Sequence, residues 1–469
     1  MKKLLATISM SAVAAFVLAS CGRTQAAQGV TDTKILVGNT AATTGAFAMV
    51  GVPFNEGLQA VFKTWNDDHT QKIELVHYDD EFDGAKGLTY TRKLVEEDKI
   101  FALTGHFGTN TVAATVDYIK EVGIPMVYAA TGINQLYQEG ATDNDRAVMP
   151  LQPIYKTEGR VLLARALAAE TDGIGLGGTK IGVISTTDDA GSGILEGIVR
   201  QAQETTATVV YAETAAASGT NHATAVNTLK NAQCDVVIVA ANQAPFGEIL
   251  NAMRDANYNA KVITSYVSAD ATTLNNLIIT GSITADRPVY TTAWLDIASN
   301  AILYAPEADN VVGSILWASY KAYAATLGFP TLYDLGVPGF SAEYWEAAEA
   351  IAAYKLAVDP TDYAGAFTTS FNSYALAGYI SGRMFLHGLE RVEGTITWEK
   401  YIDAMESEVF DIPMGGTLDL ADGQRLGVAS LALNRADHAA GGVAGALVSV
   451  DAIRDLPDVW AAVPASLRK

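Results

Sequence analysis

The residues Gly105-His106-Phe107-Gly108-Thr109-Asn110-Thr111 mark a turn between a buried strand and a helix. Before them, residues 100–103 form a short apolar run of the kind found in a strand covered on both faces. After them, Val112, Val116 and Ile119 recur at the spacing of one helix face. The pattern therefore predicts a strand-to-helix turn, and the rest of the chain can be interpreted from this turn outward.

The turn has the chemistry of an anion-binding loop. Its glycines let the backbone come close to a ligand, and the first amides of the following helix have no intrahelical partner. Those amides and the positive end of the helix dipole favour an anion, to which the hydroxyls of Thr109 and Thr111 could add hydrogen bonds. A small carboxylate is the predicted anion. The alternative is that Thr109 or Asn110 only caps the helix.

Strands and helices alternate along the chain in two tandem series. The predicted strands are at residues 34–38, 73–78, 100–103 and 124–128 in the first series, and at 180–185, 208–211, 235–240 and 261–264 in the second. Strands separated by helices need crossover connections, so each series predicts a doubly wound parallel sheet covered on both faces. The predicted fold class is therefore α/β, with two doubly wound lobes. Ligands collect at the carboxyl ends of such strands.

Composition limits the function classes that remain. With 469 residues, of which 49% are hydrophobic and 18% charged, the chain predicts a globular protein of more than one domain. A net charge of −21 argues against nucleic acid as a partner, because a phosphate backbone is bound by basic surface. The charge does not argue against a small anion, since a site can be locally positive on an acidic protein.

The N-terminus has the layout of an export signal. Lys2 and Lys3 precede an apolar run at residues 4–18, which is short for a membrane span. Leu18-Ala19-Ser20-Cys21 resembles the lipobox of bacterial lipoproteins, which implies removal of residues 1–20 and lipidation of Cys21. The predicted protein is then extracytoplasmic and held at the cell membrane by its lipid, with residues 21–32 as a tether. The alternative is a plain signal peptide that is cut elsewhere.

No motif in the sequence predicts catalysis, a cofactor or a metal site. Residues 173–178 match the dinucleotide pattern G-x-G-x-x-G, but they precede a predicted strand where the motif requires them to follow one. The six histidines lack metal-ligand spacing, and His106, although it lies in the predicted turn, is expected to be a structural hydrogen-bonding residue. The chain is therefore predicted not to be an enzyme.

In their order and spacing, several stretches together resemble the substrate-binding proteins of ABC transporters, in the branched-chain amino acid family with the type I periplasmic-binding fold. The resemblance runs from about residue 33 to residue 435. The stretches that carry it are Thr44-Gly45 to Asn66, Tyr78-Asp79-Asp80, residues 105–125, Ala129-Ala130-Thr131-Gly132, residues 152–158 and Asp188-Asp189-Ala190-Gly191.

The resemblance implies two lobes joined by three crossovers, which close on a ligand by hinge motion. The implied division places residues 33–150 and 290–413 in the first lobe and residues 151–289 and 414–440 in the second, with 441–469 as a C-terminal extension. A long helical region at about 290–370 exceeds the usual length of the family.

In the family, the ligand carboxylate is held by the loop that matches residues 107–109 and by the pair that matches Ala130 and Thr131. This sequence has Ala190 where the family has an aromatic lid, and residues 265–268 contain no acid to pair with a ligand amine. The predicted ligand-binding residues are Thr44, Phe107, Gly108, Thr109, Ala130, Thr131, Tyr155, Asp188, Asp189 and Tyr266. An amino-acid amine is expected to meet Asp188, Asp189 or another carboxylate, and Tyr266 is expected to replace the missing lid.

The predicted function is that of a monomeric solute-binding lipoprotein of an ABC importer. It would capture a small carboxylate, with a branched-chain or other apolar amino acid as the leading candidate, and deliver it to a membrane permease. Amides, urea and aromatic acids are alternative ligands. A sensory receptor with the same fold and a lipoprotein enzyme are the alternative classes of protein.

Overall fold

A computed structural model describes residues 26–217, 219–269, 271–295, 342–370, 372–437 and 447–469. The predicted signal sequence, Cys21 and much of the helical region predicted at 290–370 lie outside these residues. None of the helices described in these ranges is both long enough and apolar enough to span a membrane.

The first lobe is built on a parallel five-stranded sheet in the order β2-β1-β3-β4-β5. Its strands are β1 (Lys34–Ala41), β2 (Lys72–Asp79), β3 (Ala102–Thr104), β4 (Met126–Ala129) and β5 (Val148–Pro150). The helices that connect the first four strands are α1 (Ala48–Asp68), α2 (Gly84–Glu96) and α3 (Thr109–Val122). The order confirms the doubly wound arrangement predicted from the alternation, and it places the loops after β1, β3 and β4 at one edge.

The second lobe contains a seven-stranded sheet in the order β14-β13-β10-β9-β8-β6-β7. Its strands are β6 (Lys180–Thr186), β7 (Thr208–Thr214), β8 (Val236–Ala240), β9 (Lys261–Thr264), β10 (Val289–Ala293), β13 (Leu431–Ala436) and β14 (Leu447–Arg454). The first five are parallel, whereas β13 is antiparallel to β10 and β14 is antiparallel to β13. The second sheet is thus parallel with an antiparallel edge.

The remaining elements flank these two sheets. The helices associated with the second sheet are α4 (Tyr155–Leu167), α5 (Asp189–Ala202), α6 (Ala223–Asn231), α7 (Gln243–Asp255) and α8 (Ala271–Ile279). They are followed by α9 (Ala342–Val358), α10 (Tyr363–Ser370), α11 (Ser373–Leu389), α12 (Trp398–Ser407), the short strands β11 (Phe410–Asp411) and β12 (Thr417–Leu418), and α13 (Leu456–Ala461).

The sequence pattern predicts helices at residues 53–67 and 195–204, and in the structure both begin earlier. Helix α1 starts at Ala48, with Pro53 inside it, because a 3₁₀ turn at Gly45–Phe47 leads directly into the helix. Helix α5 starts at Asp189, six residues before the predicted start at 195, because the side chain of Asp188 caps it. The predicted start of α1 was placed at Pro53 because proline is common at the first helical position, and that of α5 followed the apolar residues and missed the cap before them.

Glycines let helices α1 and α11 pack in close contact on the first lobe. A Cβ atom at Gly57 of α1 would lie 1.8 Å from the carbonyl oxygen of Ala375 in α11, and one at Gly378 would lie 1.9 Å from that of Phe54. Helix α11 therefore belongs to the layer that covers the first sheet. The buried core is continuous from α3 to α4 and α5, where Val112, Leu163 and Ile194 are fully buried in one cluster.

Candidate functional site

The turn that opens α3 has the geometry predicted from the sequence. Gly108 is the N-cap, with a φ of 103° that favours glycine, and because glycine has no side chain the helix start has no side-chain cap. The first backbone bond of the helix runs from the Val112 amide to the Gly108 carbonyl. Within the described chain, the amides of Thr109 and Asn110 donate to no acceptor, so they are available to an anion.

Three hydroxyl groups meet beside these amides. The Thr109 Oγ1 atom lies 3.0 Å from Thr131 Oγ1 and 3.1 Å from the Tyr155 hydroxyl, and Thr131 Oγ1 is 3.4 Å from Tyr155. The three side chains come from α3, from the loop after β4 and from the first residue of α4. Burial raises the pKa of Tyr155, so its phenol stays protonated and can donate. We call Thr109, Thr131 and Tyr155 the hydroxyl cluster.

Backbone hydrogen bonds between loops hold this arrangement in place. Phe107 and Ala130 form a parallel bridge, in which the Ala130 amide donates to the His106 carbonyl at 2.8 Å. The Phe107 amide donates to Thr40 at 3.0 Å, and the Gly108 amide to Ala130 at 3.4 Å. The structure therefore brings Phe107, Gly108 and Ala130 together with the hydroxyl cluster.

His106 supports the turn from inside the first lobe. Its ring is fully buried, with Nε2 3.0 Å from Thr115 Oγ1 and Nδ1 accepting from the Thr40 amide at 3.4 Å. Burial lowers the pKa of His106 to about 3, so the ring is neutral at physiological pH. These contacts are consistent with the structural role predicted for this histidine.

Thr44 lies at the same edge but is already engaged. Its hydroxyl donates to Asp79 Oδ2 at 2.5 Å, and the Thr43 amide donates to Asp79 Oδ1 at 3.0 Å. The side chain of Thr44 is exposed. The loop after β1 is thus fixed to the end of β2, and direct contact between Thr44 and a ligand stays a prediction.

In the second lobe, the structure separates the roles of the two neighbouring aspartates. The carboxylate of Asp188 accepts from the Gly191 amide at 3.0 Å, from Thr186 Oγ1 at 2.7 Å and from Asn242 Nδ2 at 3.1 Å. Asp188 therefore caps α5 with both oxygens occupied, whereas Asp189 is exposed in the first turn.

A buried acid that the sequence did not indicate reaches the segment at 265–268. Glu158 of α4 is fully buried, and its carboxylate accepts from Ser265 Oγ at 2.6 Å, from the Tyr266 amide at 3.0 Å and from Thr292 Oγ1. The Tyr266 hydroxyl donates to the Pro153 carbonyl at 3.0 Å. Tyr266 is thus held at its amide by Glu158 of α4 and at its hydroxyl by Pro153, which lies just before α4.

The carboxyl group of Glu158 is expected to make stability depend on pH. Burial raises its pKa to about 7 despite its three donors, against 4.5 when exposed. Between about pH 4.5 and 7 the unfolded chain loses this proton while the folded chain keeps it, so this group lowers the free energy of unfolding as pH rises. Urea unfolding at pH 5 and 7.5 measures this contribution. The free energy of unfolding should fall less between these two pH values in Glu158→Gln than in the wild type.

The matched control for this prediction is Glu399→Gln, which changes an exposed glutamate at the start of α12. The control should keep the wild-type pH dependence. An equal pH dependence in Glu158→Gln and the wild type would show that Glu158 does not hold its proton in the folded state.

Comparison with known proteins assigns the chain to a family. A sequence model described as periplasmic binding protein matches residues 34–304, which is more than half of the chain. The chain belongs to the periplasmic binding protein family. A comparison with curated protein sequences gave no significant match.

Solved structures of this family share the fold across most of their length. A possible leucine/isoleucine/valine-binding protein from Rhodopirellula baltica is 16% identical, with a TM-score of 0.62, and the match covers 89% of this chain and 97% of that one. A fatty acid ABC transporter substrate-binding protein from Thermomonospora curvata is 15% identical, with a TM-score of 0.67 and coverage of 94% and 98%. A solute-binding protein of an ABC transporter from Rhodopseudomonas palustris, in complex with 3,4-dihydroxybenzoic acid, is 15% identical, with a TM-score of 0.60 and coverage of 91% and 100%. These likenesses confirm the type I fold predicted for this periplasmic binding protein.

An aromatic pair at the same edge of the first sheet of this periplasmic binding protein was not predicted from the sequence. Phe47 and Phe82 are stacked, with ring centroids 3.9 Å apart and planes inclined by 18°. A Cβ atom at Gly108 would lie 3.0 Å from two carbons of the Phe82 ring, so the ring packs directly on the turn. The two residues lie 35 positions apart on different loops, and no sequence spacing signals that they meet.

Proposed function

We propose that this protein is an extracytoplasmic solute-binding protein that captures a small carboxylate and delivers it to the permease of an ABC importer, without chemical change. The observation that carries this proposal is the hydroxyl cluster beside the free amides of α3. Amides at a helix start and neutral hydroxyls stabilise a carboxylate without a positively charged side chain. We call this set of groups the carboxylate cradle; it comprises the amides of Thr109 and Asn110 and the three hydroxyls.

The ligand class follows from the cradle and from its surroundings. The sequence predicted a branched-chain or other apolar amino acid, while structural neighbours are named for binding fatty acids or are bound to 3,4-dihydroxybenzoic acid. These ligands share a carboxylate joined to an alkyl or aryl group. Apolar side chains with a few fixed polar groups are typical of small-molecule sites.

Contacts between the lobes support capture by closure. Gln243 at the start of α7 donates through Nε2 to the Tyr374 hydroxyl of α11 at 2.7 Å. Between β4 and β5, Asn134 donates through Nδ2 to Glu196 Oε2 of α5 at 2.7 Å. Both bonds join a side chain from the first lobe to one from the second, so opening the lobes would break them.

A thermal-shift screen tests the proposed function. The panel contains apolar amino acids, their amino-free analogues, aromatic acids, fatty acids, amides and urea. A ligand that binds only the folded state raises the melting temperature, so at least one carboxylate is expected to shift it while amides and urea do not. A panel in which no carboxylate raises the melting temperature would overturn the proposal.

We also propose that Cys21 carries the lipid that holds the protein at the membrane, as the resemblance of residues 18–21 to a lipobox implies. In cells that express the chain, Cys21→Ala should abolish labelling by a radioactive fatty acid and release the protein into the soluble fraction. Cys234→Ala is the control, because Cys234 is a free, buried cysteine inside the second lobe. Labelling that survives Cys21→Ala would contradict the anchor.

A further inference from the structure

The aromatic pair of Phe47 and Phe82 forms an apolar wall next to the carboxylate cradle. Phe47 ends the turn after β1 and Phe82 lies in the loop after β2, so both rings stand at the edge of the sheet where ligands collect. Both side chains are only half-buried. Because the Phe82 ring packs on Gly108, which precedes Thr109, the wall lies within one residue of the cradle amides.

The loop that carries Phe82 is held in an unfavourable conformation. Glu81 and Phe82 have φ angles of 54° and 65°, in the left-handed region that residues with a Cβ atom rarely adopt. Asp80 stabilises this loop, because its carboxylate accepts a hydrogen bond from the Phe82 amide at 2.9 Å and another from Thr111 Oγ1 at 2.6 Å. Asn110 Nδ2 donates to the Phe82 carbonyl at 3.3 Å. Asp80 and the first turn of α3 therefore fix the backbone that carries the Phe82 ring.

The acids that were candidates for a ligand amine have other partners. Both oxygens of Asp188 accept bonds from α5, Thr186 and Asn242, and both oxygens of Glu158 accept bonds from the loop after β9 and from β10. Asp189 is exposed, and an ion pair between exposed groups contributes little. An ammonium group beside the carboxylate would thus lie against an apolar wall, and Asp188 and Glu158 already accept bonds from other donors, so its desolvation would be costly.

We propose that Phe82, backed by Phe47, determines specificity, and that the ligand is a carboxylate whose neighbouring atoms are apolar and carry no α-ammonium group. A branched alkyl or aryl carboxylate fits this description. The inference rests on the proposed function, because the cradle sets where the carboxylate lies. It narrows the ligand class to exclude the amino acid that the sequence favoured.

The test is isothermal titration calorimetry of the full folded protein with ligands that differ only in the α-ammonium group. The pairs are leucine with 4-methylpentanoate, phenylalanine with 3-phenylpropanoate, and the tightest carboxylate of the thermal-shift panel with its α-amino or amino-free counterpart. The amino-free member of each pair that binds is expected to bind at least about tenfold tighter. Phe82→Ala should weaken that binding at least about tenfold, since it removes the wall.

The control is Tyr90→Ala, which removes one ring of another stacked pair, Tyr78 and Tyr90, whose centroids are 5.2 Å apart. The control should bind like the wild type. Phe82→Leu, which keeps an apolar side chain and should retain part of the affinity, serves as the variant if Phe82→Ala does not fold. Equal or tighter binding of the amino acids, or unchanged affinity in the Phe82 variants, would overturn the specificity inference alone. Absence of binding by every carboxylate would overturn the proposed function as well.

Discussion

Replacing Thr109 and Thr131 together with valine is expected to weaken carboxylate binding at least about 100-fold. The physical reason is that each hydroxyl would otherwise donate to a charged oxygen, and such a bond contributes about 1.5–3 kcal/mol, where 1.4 kcal/mol is a tenfold change in affinity. Thr109 and Thr131 are 4% and 1% exposed, so water cannot replace the lost donors. Calorimetric titration of the double variant with the tightest carboxylate of the panel measures the effect.

The control for this variant is Thr89→Val on α2, where an exposed threonine donates to the Ala85 carbonyl at 2.9 Å. The control should bind with wild-type affinity. Tyr155→Phe should have a smaller effect than the double variant, since it removes one of the three hydroxyls. Wild-type affinity in the double variant would place the ligand away from the hydroxyl cluster.

Arg425→Ala is expected to lower the free energy of unfolding by about 3 kcal/mol, the lower end of the range for breaking a buried ion pair, because Arg146 still pairs with Glu406. The Arg425 side chain is fully buried and donates to Glu406 Oε1 at 2.5 Å, to the Arg146 carbonyl at 2.6 Å and to the Leu420 carbonyl at 3.1 Å. Its removal would leave Glu406, which is only 13% exposed, and buried carbonyl oxygens without this donor. Chemical denaturation measures the loss.

Arg391→Ala is the matched control for Arg425→Ala. Arg391 pairs with Glu408 at 2.9 Å, but the two side chains are 32% and 62% exposed. An exposed pair contributes at most about 1 kcal/mol, so the control should unfold close to the wild type. A similar, small loss of unfolding free energy in both variants would show that the buried hydrogen bonds and ion pair of Arg425 do not stabilise the fold.

The sequence was sufficient to predict the two α/β lobes because hydrophobic periodicity alternates clearly along residues 34–264. It was less informative where structure depends on distant partners. Strand β14 lies in the last thirty residues, where composition gave no pattern, and its pairing with β13 supplies the order that the local sequence lacks. The start of α1 was misplaced at Pro53 because proline is also tolerated later in the first turns, and that of α5 at residue 195 because a cap leaves a weaker signal than an apolar face.

The candidate site, like the fold, could be predicted only in part. The turn at 105–111 could be predicted because glycines, hydroxyls and a following helix are adjacent in the chain. The contact between Thr109 and Tyr155 joins residues 46 positions apart, and no local pattern in the sequence predicts it. The positions of Glu158 and of the aromatic pair depend on tertiary packing, which a single sequence does not show. Asp188 shows the opposite case, since a cap and a ligand-binding acid have the same sequence signature.

A crystal structure of the protein with its tightest carboxylate tests the proposed site most directly. We expect the carboxylate oxygens to lie within hydrogen-bonding distance of the Thr109 and Asn110 amides and of the hydroxyls of Thr109 and Thr131, with the apolar group of the ligand against Phe82. A carboxylate bound away from the start of α3, with the hydroxyl cluster still closed on itself, would contradict the carboxylate cradle.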